Sequence, residues 1–350
     1  MSEDLWSAQD TTPAAIEAAL RELEMKRAAE HQGYVPARVL NLVAIVDREW
    51  RGEIANRLDS VGRYHASRTV LCTVEPGRKT LDATAMLAYD VEPAPGCVAV
   101  CRERVNIEMG PEHLPGLDTI VDPILLSDVI TVVWSPHGHP EAVDALLDLA
   151  HVVLTDSVAE PDAHEALTRV GRLCDKVYVV DLAWLRSTPW RERVAATFDP
   201  PQWLPELRRI NGVSVRHGPE SEAAAVLFCG WLASRLGWDP GSMVARGDTL
   251  EGHARGKRQE VTLRLESVRQ DVPGLAGVTI STADGMEISL DRGPGGLAAH
   301  RKDSKGNESR WTILGASRGE GGILGEGVRQ ALLRDPTYQP ALGAARTMLG

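Results

Sequence analysis

A serine flanked by glycines is one pattern in this chain whose residue types and spacing could do chemistry. Gly315–Gly319 reads GASRG, which matches the GxSxG elbow that presents a nucleophilic serine between a strand and a helix. Hydrolases of that kind carry their histidine after the serine, whereas the last histidine here, His300, precedes Ser317. Further glycines follow where a helix would have to begin at once. We therefore interpret the segment as a flexible turn.

The longer glycine-rich segment Gly315–Gly327 could instead hold a phosphate on its backbone N–H groups. No Gly-Lys-Ser/Thr follows, so it is not a Walker loop, and a surface loop is the favoured interpretation. Arginines around RYHASR, residues 63–68, offer a second anion site, although such arginines usually form ion pairs on a solvated helix face. The candidate anion-binding residues are Arg63, Arg68, Gly319, Gly321 and Gly322.

Two histidines, His137 and His139, could be two ligands of one metal. Zinc would need a third ligand and usually a fourth, and the flanking prolines indicate a loop, so solvated histidines are the favoured interpretation. The sequence contains no paired carboxylate motif and no Cys–His signature. The glycine fingerprint of dinucleotide-binding folds is also missing after the first apolar strand. We therefore expect no catalytic constellation, no cofactor and no metal.

Tryptophan and arginine are concentrated in Asp181–Arg191, which reads DLAWLRSTPWR. The preceding strand, predicted at Val177–Val180, runs into a polar turn, after which Thr188 and Pro189 are expected to cap and open a helix. Capping does not account for the other side chains, whose types are enriched at protein interfaces. We predict that they lie at or under a partner-binding surface. They are Trp184, Arg186, Trp190 and Arg191.

Trp134 occupies a comparable place, because it ends the apolar run Val129–Trp134. The carboxyl ends of the strands form the functional edge of a doubly wound sheet. The indole could contact a partner there, or it could cap the core with part of its ring exposed, and both interpretations stay open.

Alternating strands and helices predict an α/β fold with a doubly wound, mostly parallel sheet and helices on both faces. The first parallel unit is an apolar strand at Val39–Val46, an amphipathic helix capped by Asp47 with Trp50 on its apolar face, and a strand at Thr69–Val74. A helix from Thr12 to about His31 precedes them, with ten loose residues in front. The other predicted strands and helices of this region are Ala85–Val91, Val98–Ile107, His113–Leu126 (helix), Val129–Trp134, Glu141–Ala150 (helix), His151–Thr155 and Ala163–Cys174 (helix).

The pattern changes after the proline-rich segment Asp199–Gly212. A strong helix at Glu220–Leu236 ends at Gly237, and a charged linker at Ala245–Lys257 leads to strands that alternate with period two. These elements predict a smaller α+β C-terminal domain with an antiparallel meander. The predicted domains are an N-terminal helix or arm at 1–35, the α/β domain at 36–205 and the α+β domain at 206–350.

The 350 residues carry a formal charge of −11, which argues against nucleic-acid binding because phosphate neutralisation needs a basic surface. No apolar run approaches the roughly 18 residues that predict a membrane span, and the acidic N-terminus is unlike a secretory signal. Five scattered cysteines are typical of a reducing compartment. We expect a cytoplasmic protein that binds neither nucleic acid nor membrane.

Four segments, in chain order, match the motifs of one family. They are His65–Thr69 (HASRT), Trp134–Pro136 (WSP), Asp181–Arg191 with the complete signature DLAWxRxTPWR, and the helix Gly230–Trp238 (GWLASRLGW). On these residues the chain resembles the glucose-6-phosphate dehydrogenase assembly proteins, the OpcA family of actinobacteria and cyanobacteria. The family motifs have proline at the position of Ala66 and tryptophan at that of Ser135, so the chain resembles a diverged member.

The resemblance implies a non-catalytic protein that binds glucose-6-phosphate dehydrogenase and promotes its active oligomer. It implies partner-binding roles for the matching motif residues, with Arg68 at the rim of the contact: His65, Ser67, Arg68, Trp134, Trp184, Arg186, Trp190 and Arg191. One alternative is an enzyme or sensor that holds a sugar phosphate or nucleotide with residues 63–68 and Gly315–Gly327. Another is a scaffold whose tryptophans all lie in the core.

Overall fold

The computed structural model describes residues 2–30, 38–62, 66–89, 101–293, 295–314 and 319–350. The chain divides into two compact units that interleave along the sequence. The first comprises Met1–Thr155, Lys176–Val180 and Gly327–Leu332, and the second comprises Asp156–Asp175, Asp181–Glu326 and Leu333–Gly350. This division describes compactness and not independent folding, so the predicted domain boundaries at 35 and 205 stay predictions.

The first sheet has eight strands in the order β1-β4-β5-β3-β2-β6-β7-β8. Its strands are β1 (Ser2–Ala8), β2 (Leu40–Asp47), β3 (Ser67–Val74), β4 (Asp82–Tyr89), β5 (Cys101–Met109), β6 (Ile130–Trp134), β7 (Val152–Thr155) and β8 (Tyr178–Asp181). Pairing is parallel from β5 through β3, β2 and β6 to β7, and antiparallel where β4 and β1 extend the edge. Without β1 and β4, the order is 3-2-1-4-5-6, which is that of dinucleotide-binding sheets. The predicted α/β fold is confirmed.

Burial explains the central strands. All of β3 and nearly all of β2 are buried, as expected of parallel strands covered on both faces. Strand β2 is an almost continuous apolar run, whereas β3 also buries polar residues, Arg68 among them. The helices whose residues belong to this unit are α1 (Pro13–Glu30), α2 (Arg51–Gly62), α3 (Leu117–Val121) and α4 (Pro140–Ala145), with 3-10 helices at Arg48–Trp50, Pro111–Gly116 and Asp122–Ile124. None of the helices in the described ranges is long and apolar enough to cross a bilayer.

Three predictions for this region are wrong in detail. The expected helix at His113–Leu126 is three short helices, because Pro115 and Pro123 interrupt the hydrogen-bonding pattern. The helix that Pro140 opens ends at Ala145, five residues early. The first ten residues are not loose, because β1 pairs with β4 and places Leu5 opposite Met86.

The second sheet is mixed and runs β10-β12-β13-β9-β14-β15-β16-β17, with β11 paired to β12. Its strands are β9 (Ile210–His217), β10 (Asp239–Pro240), β11 (Val244–Arg246), β12 (Thr249–Arg255), β13 (Glu260–Ser267), β14 (Leu275–Thr282), β15 (Glu287–Gly293), β16 (Gly296–Lys302) and β17 (Glu308–Leu314). Of the strand pairs that the structure describes in this sheet, β9 with β13 is the parallel one. The predicted antiparallel meander is present from β14 to β17. The expected linker Ala245–Lys257 is wrong, since most of it forms β11 and β12.

The remaining helices are α5 (Ala163–Cys174), α6 (Leu182–Arg186), α7 (Thr188–Phe198), α8 (Glu222–Leu236), α9 (Gly319–Leu333) and α10 (Tyr338–Leu349), with a 3-10 helix at Leu204–Arg209. Helix α8 is the core of the second unit, and Gly237 ends it in the left-handed conformation with φ of 66°, as predicted. Helices α8 and α10 pack at Gly230. A Cβ atom there would lie 2.2 Å from the carbonyl oxygen of Ala341 and 3.0 Å from the amide nitrogen of Ala345.

This close approach makes Gly230→Ala a test of the packing. The added methyl group would meet backbone atoms that cannot move without separating the helices, so we expect a loss of roughly 1–3 kcal/mol in the free energy of unfolding. The matched control is Gly343→Ala in α10, where a Cβ would meet nothing within 4 Å. That change should stabilise the protein by roughly 0.5–1 kcal/mol. Urea unfolding measures both free energies of unfolding. The same change in that free energy for Gly230→Ala and Gly343→Ala would contradict the close packing at Gly230.

Candidate functional site

Asp181 begins the DLAW–TPWR segment, defined as Asp181–Arg191, and its carboxylate caps a helix that the sequence reading missed. The expected polar turn is helix α6, and the Asp181 Oδ1 atom accepts the amide N–H of Ala183 at 3.0 Å. Thr188 is the first residue of α7 and not a side-chain cap, and its Oγ1 atom accepts a hydrogen bond from Arg191 Nη2 at 2.8 Å. The position of the predicted cap is therefore wrong, although the helix that follows is confirmed.

The Asp181 carboxylate is fully buried and accepts hydrogen bonds from three separate parts of the second unit. Besides Ala183, the amide N–H of Ser157 donates to Oδ1 at 3.1 Å, and the Tyr338 hydroxyl donates to Oδ2 at 2.9 Å. Burial raises the pKa of Asp181, with a further contribution from the negative charge of Asp156, against the lowering effect of these hydrogen bonds. The carboxylate thus joins α6 to the first residue of α10.

The Trp184 indole lies at the centre of the same cluster and is 2% exposed. Its Nε1–H donates to Asp335 Oδ2 at 2.8 Å, the Arg191 guanidinium lies over the ring at 3.3 Å from Cζ to the centroid, and the Tyr338 ring packs at 5.4 Å. Burial lowers the pKa of Arg191 to about 10. Trp184 therefore holds the segment against the residues that precede and open α10.

Asp335 completes the cluster from the far end of the chain. Its Oδ1 atom accepts the N–H and the hydroxyl of Thr337 at 2.8 and 2.6 Å. Burial raises the pKa of this carboxyl, but the hydrogen bonds from Thr337 and Trp184 and the charge of Arg191 outweigh it, so the pKa lies below its ordinary value. Sequence reasoning missed Asp335 and Tyr338, because nothing local connects them to a segment some 150 positions earlier.

The other arginine and tryptophan of the segment are also largely buried. Arg186 forms two short contacts with Asp156, Nη1 to Oδ1 at 2.8 Å and Nη2 to Oδ2 at 2.7 Å, and its side chain is 12% exposed. Trp190 and Trp134 are buried as well. Trp134, Trp184 and Trp190 thus fill the cores of their units. Direct partner contact through these side chains stays a prediction, and their geometry fits support beneath a surface.

Arg68 is not at a rim, contrary to expectation, because it is 6% exposed and ion-paired. Its Nε donates to Glu103 Oε2 at 2.7 Å, its Nη2 to Glu24 Oε1 at 2.6 Å and its Nη1 to the Ile124 carbonyl oxygen at 2.9 Å. Arg38 reaches both carboxylates too. Two negative charges already neutralise these guanidinium groups, which weakens the proposed anion site.

The other predicted anion and partner residues are placed as follows. Ser67 is buried beside Thr69, with 3.3 Å between their hydroxyl oxygens. Gly319 and the following Gly321 and Gly322 form the first turn of α9. Arg63, His65 and the GxSxG residues Gly315–Arg318 lie outside the described residues.

The switch point of the first sheet lies between β2 and β6, where dinucleotide-binding folds hold their ligand at the carboxyl ends of the strands. Side chains from both loops meet there. His139 Nε2 lies 3.1 Å from Asp47 Oδ1, and the His137 ring stacks on Trp50 with centroids 4.8 Å apart. Burial lowers the pKa of His137. Both histidines lie in a loop, as predicted, and His137 is exposed, whereas His139 is partly buried beside Asp47.

This crevice does not fit a dinucleotide. The pyrophosphate of such a cofactor needs a glycine turn and the positive end of a helix. Here β2 ends in Asp47, and the first helical turns after it carry Glu49 and Glu53. Strand β2 runs from Asp47 straight into the 3-10 helix Arg48–Trp50 without a glycine turn. Arg57 in α2 pairs with Glu53, so the misfit rests on the missing glycine turn and not on net charge.

The fold and these interactions define a two-sheet α/β protein with a dinucleotide-binding topology, a switch point without a glycine turn and a tryptophan–arginine cluster inside its second unit. Family models cover most of its length. The model described as the N-terminal domain of the glucose-6-phosphate dehydrogenase subunit matches residues 58–172, and the model of the corresponding C-terminal domain matches residues 177–342. The chain belongs to this family, the OpcA proteins.

Curated relatives bear the name OxPP cycle protein OpcA. The protein of Synechococcus elongatus is 24% identical over 242 residues, which cover 68% of this chain and 53% of the relative. That of Synechocystis is 27% identical over 198 residues, covering 55% and 41%. That of Nostoc punctiforme is 28% identical over 145 residues, covering 40% and 31%. The matched part of this chain thus spans about a third to a half of each relative.

Solved structures give a weaker likeness. The regulator Gal80p of Kluyveromyces lactis aligns at a TM-score of 0.46 and 7% identity, over 89% of this chain and 87% of that one. The MviM dehydrogenase of Clostridium difficile aligns at 0.46 and 11%, over 87% and 96%. At these scores nothing about activity or cofactor follows.

Removing the Trp184 indole should destabilise the protein strongly. Trp184→Ala opens a cavity under Arg191 and leaves Asp335 without one donor, so we expect a loss of roughly 3–5 kcal/mol in the free energy of unfolding. The control is Trp50→Ala, whose indole is 39% exposed and should matter much less. A Trp184→Ala variant as stable as this control in urea unfolding would contradict the buried cluster.

The raised pKa of Asp181 predicts a pH dependence. The folded chain holds the proton of this carboxyl more tightly than the unfolded chain, so ionisation opposes folding. Relative to the Asp181→Asn variant, the wild type should lose stability as pH rises from about 4, the ordinary aspartate value, through the raised pKa. Urea unfolding of both proteins across this range measures the difference. A relative gain of the wild type with rising pH would contradict the prediction.

Proposed function

We propose that this protein is a non-catalytic assembly factor that binds glucose-6-phosphate dehydrogenase, promotes its active oligomeric state and so supports the oxidative pentose phosphate pathway in the cytoplasm. The observation that carries the proposal is the match of two family models described as parts of a glucose-6-phosphate dehydrogenase subunit. The names of the cyanobacterial relatives refer to the same cycle.

The switch point supports a role without catalysis. A protein that used the dinucleotide-binding topology for redox chemistry would have to admit the cofactor phosphates beside β2 and β6. The passage of β2 into the 3-10 helix Arg48–Trp50 without a glycine turn opposes that, and the stacked Trp50 and His137 occupy the two loops that would form the crevice. In this proposal the dinucleotide-binding strand order of the first sheet has a structural role and holds no cofactor.

The buried DLAW–TPWR segment supports the proposal that the protein binds its partner as a rigid body. Hydrogen bonds, ion pairs or ring contacts within the second unit fix the side chains of Asp181, Trp184, Arg186 and Arg191. Rigid surfaces lose less conformational entropy on association. The DLAW–TPWR segment would then act on partner binding by holding the second unit in one conformation.

The alternative of a sugar-phosphate or nucleotide sensor has less support. The described arginine of its first site, Arg68, is already paired with Glu24 and Glu103.

The test is an assay of the cognate dehydrogenase with and without this protein. We expect a higher kcat/KM for glucose 6-phosphate and a shift to a larger oligomer in mass photometry, both saturating at a fixed molar ratio. The protein alone should reduce no NADP+. The control is the same protein unfolded by heat.

An unchanged KM, rate and oligomeric state would contradict the proposed function. Reduction of NADP+ by this protein alone would contradict its non-catalytic part and leave binding as a separate result.

A further inference from the structure

The second unit contains an open groove of about 880 Å³ that no motif prediction included. Three elements form it: the 3-10 helix at Leu204–Arg209, the end of α8 with Trp238, and the turn Gly256–Gln259 between β12 and β13. Its volume is that of a typical ligand or peptide site. Arg235, Leu236 and Trp238 at its wall belong to the GWLASRLGW motif.

The groove is strongly basic. Its cations, all exposed, are Arg208, Arg209, Arg235, Lys257 and Arg258. No aspartate or glutamate is among the described residues that line it. On a chain of net charge −11, five cations without a lining carboxylate make a local positive field that attracts acidic groups.

Four of these five cations have no ion-pair partner among the residues that the structure describes. Arg209 contacts Glu206 at 3.0 Å and Asp284 at 2.5 Å. For the other four, the described part of the chain offers no carboxylate within ion-pair distance. By contrast, the arginines predicted from the motifs, Arg68 and Arg186, are both satisfied internally. The groove therefore gathers four cations that are free to pair with an acidic partner.

The backbone holds the cationic turn in place. The amide N–H of Gly256 donates to the Gln259 carbonyl oxygen at 2.9 Å, and the Gln259 side chain donates to the Ile210 carbonyl oxygen. Lys257 and Arg258 project from between these anchors. A Cβ atom on Gly256 would also meet the Trp238 ring at 3.5 Å, so the turn lies close against the indole.

The floor is apolar and partly open. Leu204 is 49% exposed, and Trp238 and Leu236 are half-buried. Tryptophan and arginine dominate the energetics of protein interfaces, where an apolar centre is ringed by charges.

We propose that this basic groove receives an acidic polypeptide segment of the partner protein, with an apolar side chain of that segment seated against Trp238 and Leu236 and its carboxylates paired with the surrounding cations. The inference rests on the proposed function, in which the partner is glucose-6-phosphate dehydrogenase. The cations are spread over three elements and are all exposed, which suits an extended acidic surface better than a small anion, whose sites use buried, converging donors. The Coulomb attraction of such exposed charges acts chiefly on the rate of association.

The experiment measures binding of the dehydrogenase to three full-length proteins at low and high salt. They are the wild type, the groove variant Lys257→Glu/Arg258→Glu, and the control Arg269→Glu/Lys305→Glu, which makes the same charge change at exposed positions outside the groove. We expect the groove variant to bind at least about tenfold more weakly at low salt, mostly through slower association, and with a smaller salt dependence. The control should bind like the wild type. Thermal melts check that all three fold, and Lys257→Ala/Arg258→Ala replaces the groove variant if it does not.

The outcomes separate the two proposals. If the wild type and the groove variant bind the dehydrogenase equally well, the inference about the groove is overturned and the proposed function stands. No binding by the wild type overturns the proposed function and the groove with it. Inorganic pyrophosphate that binds the wild type but not the groove variant, with dehydrogenase binding unchanged, shows a small-anion site and also overturns the inference.

Discussion

The second unit depends on one buried carboxylate. Asp181 has no contact with solvent that could compensate its charge, so it needs the hydrogen bonds that it accepts from Ser157, Ala183 and Tyr338. Each donor comes from a different segment, and the arrangement fixes where α6 begins and where α10 begins. The hydrogen bond from Trp184 to Asp335 also joins α6 to the residues that precede α10. Residues of the family signature therefore hold helix α10 against the segment Asp181–Arg191 through hydrogen bonds.

Charge is divided between the interior and the surface of this acidic protein. Arg68 and Arg186, which belong to the family motifs, are neutralised by carboxylates and stabilise the fold, because breaking a buried pair leaves an uncompensated charge. Among the cations of the basic groove, Arg209 pairs with Glu206 and Asp284, and the other four have no ion pair with any described carboxylate. Motif residues then maintain the shape of the protein, while the groove supplies the electrostatic attraction that a binding function requires.

Local signals predicted much of the fold. The apolar runs of β2 and β3 and the glycine after α8 placed those elements within two residues, because burial and the left-handed conformation leave direct traces in the sequence. The capping role of Asp181 had a local signal too, an aspartate directly before the helix-forming residues LAWLR. The burial of Arg68 did not, because its partners Glu24 and Glu103 are 44 and 35 positions away. The groove joins three distant segments, of which only the end of α8 belongs to a quoted motif, and nothing local connects that motif to the other two.

Hydrogen–deuterium exchange of this protein with and without glucose-6-phosphate dehydrogenase tests the central claim, that the signature is internal support and the groove is the contact. The account predicts that amides of α7, beside the buried cluster, exchange slowly in the free protein and change little on binding. New protection should appear at residues 204–210 and 256–259. Partner-induced protection confined to Asp181–Arg191, with none in the groove, would contradict the account.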